Sequence, residues 1–233
     1  MLWGLRPVEQ QAAYGLAVKR ITRQIRLYLL LAGERLPPER RLAEEIGISR
    51  VTLREALRVL EGNGYLTIKR GAQGGAFIAE EATLRQLAAR RVARDPGAVM
   101  RALEYRDGTV LMAVALAAQR RGVPDLKRMR EAVERIGSAE TSGHICQGET
   151  LFHLAVAEAS QNPLIIGALE DALAEMFLPP AKTDIDRTRS VTADAYRAVL
   201  EAVDGRHDAI AQDAFRTILE RDWSRVKAFP VDA

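Results

Sequence analysis

Arg50, Arg54 and Arg58 recur every four residues in the stretch SRVTLREALRVLEG, so on a helix they share one face. Leu53, Ala56, Leu57 and Leu60 interleave with them at helical spacing and take an adjoining, buriable face. A helix anchored on its apolar side fits the DNA major groove. Guanidinium forks match guanine edges or phosphates, and a helix N-terminus itself attracts phosphate. The plainer reading of the same residues is a solvated surface helix. Glu149 and His153 are one helical turn apart and form, in principle, an acid–base pair or half a metallohydrolase site. No nucleophile motif, complete metal set or cofactor loop accompanies them. The run Gly71-Ala-Gln-Gly74-Gly75 lacks the Gly-Lys-Ser/Thr ending of a nucleotide loop, and no helix follows it directly. A flexible hairpin tip explains it, because glycine permits close backbone approach. The single cysteine, Cys146, excludes an internal disulfide and a multi-cysteine zinc site.

The arginine row needs elements to hold it. Leu42, Ala43 and Ile46 lie on one face of a short helix opened by Pro37-Pro38 and closed by Gly47. Ser49 is placed to cap the next helix, which Gly62-Asn63-Gly64 ends. Residues Tyr65–Arg70 and Ala76–Ala79 then read as two hairpin strands, with Leu66, Ile68, Phe77 and Ile78 as apolar contacts. The pattern predicts a winged helix-turn-helix. Met1–Gln11 reads as a loose arm. A first helix is expected from about Gln11 to Ala32, ended by Gly33, with Val18, Ile21, Ile25, Tyr28 and Leu29 buried. Its Lys19, Arg20, Arg23 and Arg26 are expected to face outward, solvated or against phosphate. Glu80–Thr83 reads as a linker, with Thr83 capping the helix that follows.

Beyond it every strong signal is helical. Helices are expected near 83–94, 97–121, 124–136, 147–159, 163–177, 190–204 and 207–227, punctuated by Pro96, Pro124, Pro163 and Gly205. Leu103, Val110, Val114, Leu116, Leu151, Leu154, Ala155, Ala159, Val199, Ala202, Ile210, Ala214 and Ile218 fit the core of an antiparallel bundle. Leu178–Arg189 is the longest irregular piece expected. The fold class is therefore mainly α: an N-terminal winged helix-turn-helix domain with a small β-hairpin wing, residues 1–80; a linker and linking helix, 81–96; and a C-terminal antiparallel helical bundle, 97–233.

Leu36-Pro-Pro-Glu-Arg40, Gly47-Ile-Ser-Arg50, Thr52-Leu-Arg-Glu-Ala56 and Gly64-Tyr-Leu-Thr-Ile-Lys-Arg-Gly71 closely resemble the DNA-binding domain of the GntR family of bacterial transcription regulators. In the recognition helix and wing the resemblance is especially near to the FadR branch of that family. It implies operator contacts by Arg40, Arg50 and Arg54, added contacts from Ser49 and Thr52, and a wing tip, Arg70 and Gly71, in the minor groove. It also implies a palindromic DNA operator bound by a homodimer, more often to repress.

The second half resembles the helical effector-binding FCD domain of the FadR branch. The resemblance rests on Glu104-Tyr-Arg106 with Leu116-Ala-Ala118, Phe152-His153 with Ala159-Ser-Gln-Asn162-Pro163-Leu164, and Arg197-Ala-Val-Leu-Glu-Ala-Val-Asp-Gly205. Many FCD domains hold a divalent metal with one acidic residue and three histidines. Glu149 and His153 match two of those positions; Tyr196 and Ile218 occupy the others. Isoleucine cannot ligate and a phenol replaces imidazole poorly, so no cofactor is expected, and a metal only on an incomplete set. The expectation is a pocket lined by Arg106, Glu149, His153 and Tyr196 that takes a small-molecule effector, with a carboxylate held by Arg106. Alternatively Arg106 pairs with Glu149 and His153 is a satisfied core residue.

Composition agrees. Hydrophobic residues make up 48% of the 233 residues, enough for two cores, and the net charge of +3 is unevenly placed. Residues 1–80 hold 13 Lys/Arg against 8 Asp/Glu, whereas the remainder carries a net −2. No apolar run reaches the roughly 20 residues that span a bilayer, and the first residues carry Trp3 and Arg6 without an apolar signal region, so no export signal is expected. The expectation is a cytoplasmic, non-enzymatic regulator with no membrane partner. The competing expectation is a DNA-binding or interaction protein whose helical domain has lost ligand or metal control.

Overall fold

A computed structural model describes residues 13–71, 74–178 and 184–227, and Met1–Gln11 and much of the expected irregular piece lie outside them. Helix α1 spans Ala13–Arg26 and buries Ala17, Ile21 and Ile25. It stops six residues before the expected Ala32. Tyr28 takes a left-handed φ of 56° at the position after the helix cap. Its N–H bonds to Ile25 O (3.0 Å) and that of Leu29 to Gln24 O (2.9 Å), the double closure of a Schellman motif. A non-glycine residue pays about 1–2 kcal/mol for that conformation. Two contacts offset it: the Tyr28 hydroxyl donates to the Leu178 carbonyl, and its ring packs 5.5 Å from that of Phe177.

Helix α2 (Glu39–Ile46) starts after Pro38 and ends on Gly47 at φ 79°. Ser49 then caps α3 (Arg50–Gly62) by accepting from the Thr52 N–H at 3.0 Å. Leu53, Ala56, Leu57 and Leu60 are buried as the periodicity required. Strands β1 (Leu66–Lys69) and β2 (Gly75–Ile78) pair antiparallel, with Leu66 opposite Ile78 and Lys69 opposite Gly75. Leu66 and Ile78 reach the core. Ile68 shares the face of Leu66 but lies past the edge of the core and is exposed, contrary to expectation. Phe77 is half-buried, with Lys69 over its ring at 4.7 Å.

The linker is shorter than expected. Helix α4 (Glu81–Arg94) begins at once after Glu80, and Thr83 lies within it rather than capping it. The bundle follows as α5 (Pro96–Arg120), α6 (Val123–Gly137), α7 (Ser142–Ala159), α8 (Pro163–Glu175), α9 (Ile185–Asp204) and α10 (Asp208–Lys227). Two helices start five residues early. Thr141 caps α7 by accepting from the His144 N–H, and Asp184 caps α9 by accepting from the N–H groups of Asp186 and Arg187. Helix α6 packs on α7 and α9, α10 on α9 and α5, and α5 on α7 and α8. Of the expected core residues, Leu116, Leu151, Leu154 and Ala214 are only half-buried, and Ile210 is exposed in the first turn of α10. Among the described residues, no helix is long and apolar enough to cross a membrane.

The two halves share a joint. Arg23 reaches Glu170 (2.8 Å) and Asp171 (2.5 Å), Arg26 approaches Glu175 at 3.7 Å, and Arg91 also bonds Glu175. Arg23 and Arg26 therefore engage α8 and do not form the solvated face expected of them. Phe177, just past α8, is buried in the core formed by α1, α3 and β2.

Candidate functional site

Two sites are built by this fold. The first is the outer face of α3. Arg50, Arg54 and Arg58 are all exposed on it. The Ser49 cap leaves the helix N-terminus at the surface, and the Thr52 hydroxyl lies 2.8 Å from Ser49 Oγ. Among the described residues, Arg54 approaches Glu39 at 3.6 Å and Arg40 approaches Glu44 at 3.5 Å, both pairs lying in solvent. Such pairs are worth about 0–1 kcal/mol and yield readily to a polyanion. Arg70 and Gly71 are exposed at the start of the turn between β1 and β2, with Gly71 at φ 101°. Of the seven residues expected at this face, six are exposed on the helix-turn-helix and its hairpin, and Thr52 is half-buried.

The second site is a cavity of about 90 Å³ in the bundle. Arg106, Glu149, His153 and Tyr196 all line it, as the sequence suggested, together with Cys146, Asp222, and Arg26, Tyr28, Phe177 and Leu178 from the joint. Helix α5 supplies Arg106, α7 supplies Glu149 and His153, and α9 supplies Tyr196.

The pairing differs from expectation. Arg106, 1% exposed, does not bond Glu149. Its Nε and Nη2 donate to Asp107 at 2.9 and 2.7 Å, and its Nη1 to Asp222 at 2.5 Å. Burial opposes its charge, but Asp222 and Asp107 outweigh that, and its pKa rises above the ordinary value. Trp223 Nε1 holds Asp107 from the other side at 2.7 Å. Glu149 instead accepts from Arg221 at 2.5 Å, and Arg221 also donates to Thr192. Asp222 was missed by sequence reasoning. It lies one turn beyond Ile218 on α10, and that spacing from a recognised cavity position is the signal that could have found it.

His153 Nδ1 lies 2.8 Å from the Glu149 carbonyl oxygen, which can only accept, so Nδ1 carries the proton. Nε2 is then a bare lone pair, buried and without a partner among the described residues. Burial, then Arg106, lowers the His153 pKa to about 4, which keeps the ring neutral. The Tyr196 hydroxyl is likewise buried and has no partner among the described residues. Burial, then Glu149, pushes its pKa well above the ordinary phenol value, so it keeps its proton.

These residues do not fit the metal implied by the resemblance. Among the described residues, no three His, Cys, Asp or Glu side chains converge as ligands. Glu149 is already held by Arg221, Ile218 has no donor atom, and the Arg106 guanidinium lines the same space.

Comparison with known proteins decides the family. The model of "Bacterial regulatory proteins, gntR family" matches residues 13–78, and that of the FCD domain matches residues 102–221, more than half the chain. The chain belongs to the GntR family and carries an FCD domain. Its GntR relatives include the Uxu operon transcriptional regulator of Escherichia coli K12, 30% identical over 138 residues, covering 58% of this chain and 53% of that one. The transcriptional regulator LutR of Bacillus subtilis 168 is 34% identical over 142 residues, covering 58% and 63%. The chain thus spans between about half and two thirds of the length of these curated relatives. Among solved structures, E. coli McbR/YncC superposes with a TM-score of 0.54 at 21% identity, over 94% of this chain and 98% of that one; this speaks to the fold.

Proposed function

We propose that this GntR-family chain is a sequence-specific DNA-binding transcription regulator, controlled by a small-molecule effector bound in the bundle cavity. The observation that carries the reading is the row of exposed arginines on α3, fixed by a capped N-terminus and a fully buried opposite face. Arg50 and Arg54 are read as base or phosphate contacts, Arg40 as a backbone contact from α2, Ser49 and Thr52 as neighbours at the helix start, and Arg70 with Gly71 as the minor-groove wing tip. One recognition helix reads a short half-site, so a homodimer on a palindromic operator completes the assembly. Repression is the sign the family resemblance favours.

Effector control has a physical route. Phe177 and Leu178 line the cavity, while the Phe177 ring completes the core of the DNA-binding domain. A ligand that binds two placements of this segment with different affinity shifts the DNA-binding domains between them. We read no catalysis into Glu149 and His153, because Glu149 is held by Arg221 and burial beside Arg106 keeps the His153 ring a weak base. The reading also takes the chain to be cytoplasmic, with no membrane partner.

A mobility-shift assay on DNA upstream of the chain's own coding sequence tests this. Binding that weakens steeply with salt is expected, with Arg50→Ala and Arg54→Ala each losing about 1–3 kcal/mol. Unaltered affinity in both variants would refute it. An unchanged response to every effector tried would instead favour the second reading, suggested by the incomplete metal set: DNA binding without ligand control.

A further inference from the structure

We propose that the bundle cavity takes a small uncharged ligand bearing a hydroxyl or amide N–H, which donates to His153 Nε2 and bonds the Tyr196 hydroxyl, in place of a metal ion or a carboxylate. This deepens the effector-controlled reading above and rests on it.

The first argument is hydrogen-bond direction. With its Nδ1 proton given to the Glu149 carbonyl, His153 can only accept at Nε2. A carboxylate at neutral pH has no proton to offer there. A hydroxyl or an amide N–H does, and its own oxygen can accept from Tyr196. Both protein atoms are buried, line one cavity and lack a partner among the described residues, an arrangement that is costly until something supplies the missing bonds.

The second argument is charge. The guanidinium expected to hold a carboxylate is committed to Asp107 and Asp222. Arg221 is committed to Glu149 at 2.5 Å and lies 3.6 Å from Asp222. Arg26, the other guanidinium lining the cavity, approaches Glu175 at 3.7 Å, so a further anion would have to displace a carboxylate already paired. A cation at Nε2 fares no better. Arg106 acts on His153 against positive charge, and Glu149 acts on Tyr196 against negative charge. A neutral dipole escapes both penalties. The third argument is size. At about 10–15 Å³ per water-sized group, the cavity of about 90 Å³ admits roughly six to nine such groups.

Matched acid–amide pairs isolate the charge. Calorimetric titration of the full chain with lactamide against lactate, glycolamide against glycolate, and malonamide against malonate, with zinc and nickel in parallel, is the test. The expected result is saturable binding of at least one amide, tighter than its acid, and no metal binding dependent on His153. Tyr196→Phe keeps the ring packing and should weaken that amide about three- to tenfold. The ¹⁵N resonance of His153 Nε2 should shift to lower frequency in the complex, a readout that merely structural roles would not move. An acid binding better than its amide, zinc or nickel binding lost in His153→Ala, or no saturable binding by any amide overturns the proposal. The two readings fail separately: arginine-dependent DNA binding without amide binding sinks this inference alone. Amide binding without arginine-dependent DNA binding sinks the regulator reading alone.

Discussion

A neutral imidazole sealed at position 153 makes the bundle acid-sensitive in a defined window. The ring titrates at about 4 in the fold against 6.5 ordinarily, so below pH 6.5 the unfolded chain takes up the proton first. Stability is therefore intact above pH 6.5, declines as the pH falls toward 4, and levels off after a loss of about 3 kcal/mol. Thermal melts across pH 4–7 should show a shallower decline in His153→Asn than in the unsubstituted chain; equal slopes would contradict the assignment. Arg106 has a different consequence. Its replacement by alanine strands Asp107 and Asp222 beside a cavity without their guanidinium, and breaking such a pair costs about 3–5 kcal/mol. Denaturant unfolding of Arg106→Ala should show that loss, so the residue holds the cavity wall whether or not it touches a ligand. The sequence named Arg106, Glu149, His153 and Tyr196 because family motifs mark them. It did not reveal their partners, since Asp222 lies 116 residues from Arg106 and only the packing of α10 on α5 joins them.

At the scale of the elements, local chemistry was legible where it decides the outcome. Proline, Gly47 and Ser49 set the bounds of α2 and α3, and the 3.6-residue apolar period set their buried faces. The misses had local signals that went unread: Thr141 and Asp184 are good caps, and each starts its helix five residues before the expected bound. The early end of α1 had none, because Tyr28 adopts a conformation normally left to glycine and is held there from Phe177 and Leu178, some 150 residues away. Close packing was also invisible. A methyl group on Gly148 would sit 2.5 Å from Ile136 Cγ1 and 3.1 Å from the Ile136 backbone nitrogen. Gly148→Ala should therefore push α6 from α7 and destabilise the bundle by about 1–3 kcal/mol, measured by thermal melting.

Across the whole molecule, what was not legible is how the halves meet. Composition showed a basic N-terminal part and a slightly acidic remainder, and the joint uses that difference: Arg23 and Arg26 against Glu170, Asp171 and Glu175, with Arg91 of α4 also on Glu175. The carboxylates of these pairs are exposed and the arginines half-buried, so solvent screens each pair and keeps it individually weak. Phe177, 3% exposed, carries more, and its truncation should cost about 3–5 kcal/mol. Phe177→Ala is expected to speed hydrogen exchange at the Ile21, Ile25 and Leu27 amides, while α6 exchange stays as before.

That ring also changes where the protein can be divided. The boundary that looks natural in the sequence, near Pro96, would leave the excised N-terminal piece with a vacant slot where an aromatic side chain from far downstream belongs. Such a fragment should melt earlier than the same segment in the intact chain and should take up an apolar dye. Adding a peptide that ends in Met176-Phe177-Leu178 should reverse both.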